Sequence, residues 1–332
     1  MDAGRPASSQ RTHRIPRESG GAGRQPGSPT SIHSPRHSRP AGRPAPAQRA
    51  GPQESVFMKE TSRIAVKPVR PAAGYQGGKR NLARRICARI DGLPHDGYAE
   101  PFVGMGGIFL RRSSRPAVEV INDVSADVAT FFRVLQEHYP YFIDMLRWRV
   151  ASRAEFERLA ALPPERLTDL QRAARFLYLQ RLAFGGKVVG RNFGVSTGQG
   201  ARFNIAKLEP MLADIHERLA GVTIEQLPFG TFIERYDRPG MLFYLDPPYF
   251  GCEGDYGAGV FDRADFERLA EQLAGARGQF ILSINDTPEI RRIFSGFAIE
   301  AVETSYTIAN GDNSKRAGEL IISSIAPLAR AA

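Results

Sequence analysis

Met241-Leu242-Phe243-Tyr244-Leu245-Asp246-Pro247-Pro248-Tyr249 is the stretch from which the fold can be worked out. Its first five residues run without a polar break: too few for a buried helix, and without the alternation of a half-exposed strand. That leaves a strand covered on both faces. An acid closes the run, and two prolines, which donate no backbone N–H, end it. The same pattern recurs outward along the chain. Residues 118–122 read as a second strand, closed by Asp123, and residues 280–284 as another, followed by Asn285-Asp286. Residues 98–102 read as a buried strand that enters the loop Val103-Gly104-Met105-Gly106-Gly107, after which residues 108–112 look like the start of a helix. Amphipathic segments separate these runs, so the expected fold class is α/β with a largely parallel sheet. Three strands then deliver polar groups at their carboxyl ends, where open α/β sheets place the ligand crevice. Residues 299–307 and 319–325, joined by a loop at 309–318, are expected to close the sheet as an antiparallel pair.

The chain has 332 residues, 42% of them hydrophobic, enough for a sizeable core, and no uncharged apolar run of membrane-spanning length. Cys87 and Cys252 are the two cysteines and have no Cys or His partners at metal-ligand spacing, so neither a disulfide framework nor a metal site is expected. A monomer with reduced thiols in the cytoplasm is the expectation. The net charge of +10 is unevenly spread: residues 1–50 hold nine Arg against one Asp and one Glu, +7 of the total. That stretch lacks Leu, Val, Phe, Tyr and Trp and cannot bury a core, so residues 1–57 read as a disordered Arg/Pro/Ser/Gly-rich tail. It is either an arm that touches nucleic acid without specificity or an upstream extension of a chain that naturally starts near Met58. With no apolar segment after its basic residues, it is not a secretory signal.

Between Asp123 and a strand expected near Val222 lies too much chain for one crossover. Residues 126–150 are helical in pattern, Ser152-Arg153-Ala154-Glu155 matches a capping box, and residues 169–183 read as a further helix. Residues 187–194, rich in glycine, suit a hairpin or loop. The expected division is therefore a domain made of residues 58–125 and 216–332, interrupted by a mostly helical insertion at 126–215. From Asp169 to Glu209 no acid intervenes, whereas Arg172, Arg175, Arg181, Lys187, Arg191, Arg202 and Lys207 are all basic and are interleaved with Phe184 and Phe193. A run of one sign fits contact with a polyanion, although a solvated helix face is also open.

Asp246-Pro247-Pro248-Tyr249 carries the chemistry. The exocyclic amine of a nucleobase is a poor nucleophile because its lone pair is conjugated into the ring. A carboxylate and the Pro247 carbonyl, each accepting one N–H, would localise that pair, the prolines would hold the turn rigid, and Tyr249 would offer a stacking face. A Pro-Pro turn capping a strand is the plain alternative. The glycine loop would let backbone approach a nucleoside closely, and Asp123 sits where an acid holds ribose hydroxyls or caps a helix. Tyr75-Gln76-Gly77-Gly78-Lys79, ahead of an amphipathic segment, could present amides and an ammonium to a carboxylate.

In this order the segments resemble the Dam-like D12 class of adenine-specific DNA methyltransferases, over residues 75–325. The resemblance implies a Rossmann-like sheet with an inserted target-recognition domain, S-adenosylmethionine as methyl donor and double-stranded DNA as partner. It also implies transfer to N6 of a flipped adenine, in a nucleoid-associated enzyme of a bacterium or phage. It implies cofactor contacts at Tyr75, Lys79, Phe102, Gly104, Gly106, Asp123 and Asp246, with Asp246, Pro247, Pro248 and Tyr249 forming the catalytic turn. DNA contacts are expected at Arg172, Arg181, Lys187, Arg191 and Asn192, and at Lys315 and Arg316 in the last loop. Tyr75 departs from the family's usual Trp but keeps an aromatic face. Another acceptor, such as cytosine N4 or RNA, and an inactive DNA-binding protein on the same scaffold stay open. A two-metal phosphate-cleaving site is disfavoured because the carboxylates do not cluster.

Overall fold

The computed structural model describes residues 63–324 except 195–197, 199, 258 and 307–314, and omits the side chains of 304–306 and 315–317. The expected tail at 1–57 lies outside the described residues, as does most of the loop at 309–318. In chain order the strands are β1 (Ile64–Ala65), β2 (Gly97–Glu100), β3 (Ser114–Arg115), β4 (Val118–Asn122), β5 (Thr223–Glu225), β6 (Met241–Leu245), β7 (Gln279–Asn285), β8 (Ala298–Tyr306) and β9 (Lys315–Ser323). The helices are α1 (Ala83–Gly92), α2 (Ala126–Glu137), α3 (Tyr139–Arg147), α4 (Arg153–Ala161), α5 (Asp169–Leu182), α6 (Ile205–Arg218), α7 (Phe229–Tyr236), α8 (Arg263–Ala274) and α9 (Pro288–Ile293).

Seven strands form one sheet in the order β5-β4-β2-β6-β7-β9-β8; β1 and β3 pair separately. The five from β5 to β7 are parallel, and the β8–β9 hairpin adds two antiparallel strands. This is a Rossmann-like methyltransferase sheet. The connections of β2 and β6 leave in opposite directions, so the crevice beyond their carboxyl ends is the topological switch point where such sheets bind ligands. Alternate residues of each central strand enter opposite cores: Leu242 and Tyr244 pack with α1, α2 and α5, whereas Met241, Phe243 and Leu245 pack with α7 and α8. Coverage of both faces is why β6 has no polar residue.

Several local expectations are corrected. The glycine loop after β2 leads into a single 3-10 turn, Phe109–Arg111, rather than a helix, because the chain must enter β3 and β4 within a few residues. Residues 126–150 are two helices broken at His138, with Pro140 in the first turn of α3, where its missing N–H loses no bond. Ser152 caps α4 by accepting from the Glu155 N–H, but the Glu155 carboxylate is drawn to Arg149 and Arg158, so the box is half made. A complete box forms instead at Thr168 and Gln171. The final hairpin is longer than expected and takes Lys315 and Arg316 into β9, opposite Tyr306 and Ser305.

The helices between β4 and β5, α2 to α6, share one apolar core with the sheet, in which Phe131, Phe142, Phe156 and Phe176 join Ile121 and Leu242. A buried charge cluster lies beneath: Arg112 and Arg218 both donate to Glu119, at 2.7 and 2.7–2.8 Å, and their guanidinium groups lie 3.7 Å from the Tyr98 ring centre and 4.0 Å from that of Phe109.

Candidate active site

Four parallel strands end along one edge, and the residues just beyond them build the site. After Glu100 the chain turns through Pro101 into the glycine loop. Gly104 has a φ of +51°, a region that costs other residues about 1–2 kcal/mol, and its N–H donates to Asp123 Oδ2 at 2.9 Å. The other oxygen of Asp123 accepts from the Ser125 N–H at 2.9 Å. Burial pushes the Asp123 carboxyl up to about 6 against these two bonds. Burial also pushes Glu100 up to about 8, although its Oε1 accepts from the Tyr98 hydroxyl at 2.6 Å, so Glu100 enters the site neutral. Tyr75 packs on the loop so closely that a Cβ at Gly104 would lie 2.9 Å from its ring.

At the end of β6, Lys79, which is 2% exposed, donates to Asp246 Oδ1 at 2.5 Å and to the Gly77 carbonyl at 3.1 Å. Its Nζ also lies 4.4 Å from the centre of the Tyr249 ring. Burial raises the Asp246 pKa, and Lys79 and Ser283 oppose that rise. The turn is clamped from the neighbouring strands: Asn285 accepts from the Phe250 N–H at 2.9 Å and donates to its carbonyl at 3.0 Å, and the Tyr249 hydroxyl donates to Glu319 at 2.5 Å. From the insertion, Gln180 donates to the Gly74 carbonyl at 2.9 Å and to that of Gly186 at 2.7 Å, which fixes the turn carrying Tyr75.

These loops surround a cavity of about 1140 Å³. Of the expected cofactor residues, Tyr75, Lys79, Phe102, Gly104, Asp123 and Asp246 line it. Gly106 does not: with φ +74° it packs beside Leu110 and Phe132 and shapes the loop from below. Of the tetrapeptide, Asp246 and Pro248 line the cavity, while Pro247 and Tyr249 stand outside its wall. Phe102, Phe229 and Phe261 form an aromatic cluster at one end, with ring centres 5.6–6.0 Å apart. The family model of the D12 class N6 adenine-specific DNA methyltransferases matches residues 75–308. The chain belongs to this family.

Relatives agree with the assignment. The chain is 24% identical over 243 residues to the Type II methyltransferase M.CviBI of Paramecium bursaria Chlorella virus NC1A, an alignment covering 72% of this chain and 91% of that one. It is 25% identical over 271 residues to the DNA adenine methylase of Vibrio cholerae serotype O1, covering 77% and 96%. It is 28% identical over 271 residues to the DNA N-6-adenine-methyltransferase of Escherichia phage P1, covering 73% of this chain and 34% of the phage protein. The protein is thus a methyltransferase of the D12 class. Among the described residues no group of His, Cys, Asp and Glu could hold a metal ion, and no helix is long and apolar enough to cross a membrane.

The basic run of this methyltransferase does not form a comb of free cations. Arg172, expected to meet DNA, donates to Asp127 at 2.5 Å, and Arg175 is buried on the Leu159 carbonyl at 2.7 Å. Arg181 donates to the carbonyls of Arg202, at 2.9 Å, and Ala72, at 3.0 Å. Arg191 is partly buried and reaches Gln180 Oε1 at 3.2 Å. The run needs no acids of its own because Arg172 takes its counter-charge from Asp127, and Arg175, Arg181 and Arg191 are held by carbonyl and amide oxygens inside and outside the run. Lys187 and Asn192 are exposed, as are Phe184 and Val189, and Gly185 and Val188 of the same loop line the cavity. The side chains of Lys315 and Arg316 lie outside the described residues. Sequence reasoning missed Glu100, Gln180, Tyr256, Ser283 and Glu319. Tyr256, which donates to the Gln76 carbonyl at 2.9 Å, lines the cavity from a turn with no recognisable motif. A lone acid directly ahead of the apolar Leu320-Ile321-Ile322 was the one visible signal for Glu319.

Proposed function

We propose that this methyltransferase binds S-adenosylmethionine in the cavity and methylates N6 of an adenine extruded from double-stranded DNA at a defined sequence. One observation carries the proposal: Asp246, tied to Lys79, opens onto the same cavity as Asp123 and Gly104. The residues fit the donor. Asp123 keeps lone pairs for ribose hydroxyls beyond those used by Gly104 and Ser125, the cluster of Phe102, Phe229 and Phe261 suits an adenine ring, and the bare Gly104 backbone permits close approach. S-adenosylmethionine, when bound, supplies an electrophilic methyl on a sulfonium.

The task left to the protein is placement, an effect that lowers barriers by up to about 7–11 kcal/mol. The Asp246 carboxylate and the Pro247 carbonyl accept the two N6 hydrogens and turn the nitrogen lone pair toward the methyl. S-adenosylmethionine held there would supply the methyl to that lone pair, and Asp246 stands ready for the proton that N6 must shed. Lys79 orients Asp246 and opposes the upward push that burial puts on its carboxyl, and Tyr249 offers its ring to the flipped base. The insertion at 126–215 supplies the DNA-recognition surface, with Lys187, Asn192 and Phe184 exposed near Gly185 and Val188, which line the cavity, and with Arg191 bracing that loop through Gln180 and the Lys187 carbonyl.

The test is tritiated methyl transfer to genomic DNA from cells without adenine methylation, followed by digestion to nucleosides and mass spectrometry. Wild-type protein is expected to yield N6-methyladenine and Asp246→Ala at least about a hundredfold less. Methylcytosine as product, or Asp246→Ala at wild-type rate, would overturn the proposal.

A further inference from the structure

We propose that Glu319 is a positioning residue for the methyl acceptor, fixing the Tyr249 ring in the orientation on which the extruded adenine stacks. The inference rests on the stacking role given to Tyr249 above. Glu319 belongs to β9, outside the catalytic turn, and is fully buried. Its Oε1 accepts from the Tyr249 hydroxyl at 2.5 Å, and its Oε2 has no hydrogen-bond partner among the described residues. A half-satisfied carboxylate is a poor stabiliser of a strand whose next three residues, Leu320, Ile321 and Ile322, are buried and apolar. Stability alone would favour another apolar side chain here. The hydrogen bond that the Glu319 side chain makes goes to the aromatic residue of the catalytic turn.

The surroundings show what that bond holds. Glu319 sits opposite Asn285 of β7 in the antiparallel register, and these two side chains grip consecutive residues, Glu319 the Tyr249 hydroxyl and Asn285 the Phe250 backbone. Lys79 lies over the ring and on Asp246, so one cation joins the base-stacking residue to the residue that receives N6. A ring released from Glu319 would swing relative to Asp246 and Lys79, and an adenine resting on it would present N6 off the line of attack. Burial raises the Glu319 carboxyl and Lys79 opposes the rise, in keeping with an acceptor held beside a phenol donor.

A double-mutant cycle on the full chain separates this role from simple support of the fold. Single-turnover methyl transfer is measured for wild type, Glu319→Ala, Tyr249→Phe and the double variant, with S-adenosylmethionine affinity measured alongside. Each single change is expected to slow transfer about tenfold with cofactor affinity unchanged, and the double variant to be no slower than the slower single. Glu319→Gln, whose amide oxygen can accept from the phenol, is expected to stay within about threefold of wild type. Losses that multiply to about a hundredfold, or Tyr249→Phe at the wild-type rate, would overturn the proposal. The second measurement stands even if Glu319→Ala does not fold. Tyr249→Ala distinguishes the two levels: transfer at the wild-type rate would remove the stacking role itself, whereas an impaired Tyr249→Ala with a multiplicative cycle would remove only Glu319.

Discussion

Gly104→Ala is the substitution that most directly tests how the cofactor side of the site is built. An alanine here must adopt φ +51°, at about 1–2 kcal/mol. Its methyl would lie 2.9 and 3.0 Å from two carbons of the Tyr75 ring, closer than side-chain carbons approach, so the ring must shift. Overpacking of this kind costs about 1–3 kcal/mol more. Tyr75 is itself a wall of the cavity, so part of that displacement falls on the ligand. Gly106→Ala provides the control. With φ +74° and a methyl 2.9 Å from Leu110, its unfolding penalty should be similar, but it does not line the cavity. Urea unfolding should therefore show both variants less stable by about 2–5 kcal/mol. Calorimetric titration with S-adenosylmethionine of the folded fraction should show at least about a tenfold loss for Gly104→Ala, or 1.4 kcal/mol, and little change for Gly106→Ala. Wild-type affinity in Gly104→Ala, or an equal loss in both variants, would refute this account of the loop.

The Asp123 carboxyl, pushed up to about 6, must be ionised to accept from ribose hydroxyls, so cofactor affinity should fall as pH drops through that value. Asp123→Asn should bind more weakly, with a flat pH dependence over the same range. Glu100 is neutral in the fold up to about pH 8 against an ordinary value of 4.5, so the stability it contributes is full below about 4.5 and is lost as pH rises through 8. Glu100→Gln should therefore match wild type in Tm at low pH and exceed it above pH 8. Glu119→Gln leaves Arg112 and Arg218 buried without their carboxylate and should lose about 3–5 kcal/mol in urea unfolding. Lys187→Ala should weaken DNA binding and lower the slope of log affinity against log salt by about 1, whereas Arg172→Ala, which leaves Asp127 only the more distant Arg175 at 3.7 Å, should lower stability and leave that slope unchanged.

The central architecture was legible because the middle strands are short, mostly apolar runs that stop at a polar residue, β6 without a break. Residues 118–122 and 241–245 were placed to the residue, and the polar positions after β4 and β6 do meet at one cavity. The helix expected after Gly107 failed because a strand-to-glycine-loop pattern does not reveal how soon the next strand begins. The helical pattern over 126–150 did not show where the chain breaks into two helices, because Pro140 is as compatible with the first turn of a new helix as with a kink.

Composition and local order thus determined the fold class, the ends of the catalytic strands and the family, since those depend on residue type and spacing along the chain. Tertiary structure alone decided which charges are available. Arg172 loses its freedom to Asp127, 45 residues upstream, and Glu319 meets Tyr249, 70 residues away, through the pairing of β7 with β9. A side chain's partner is set by which strands and helices lie side by side, and that adjacency has no period or motif in the sequence.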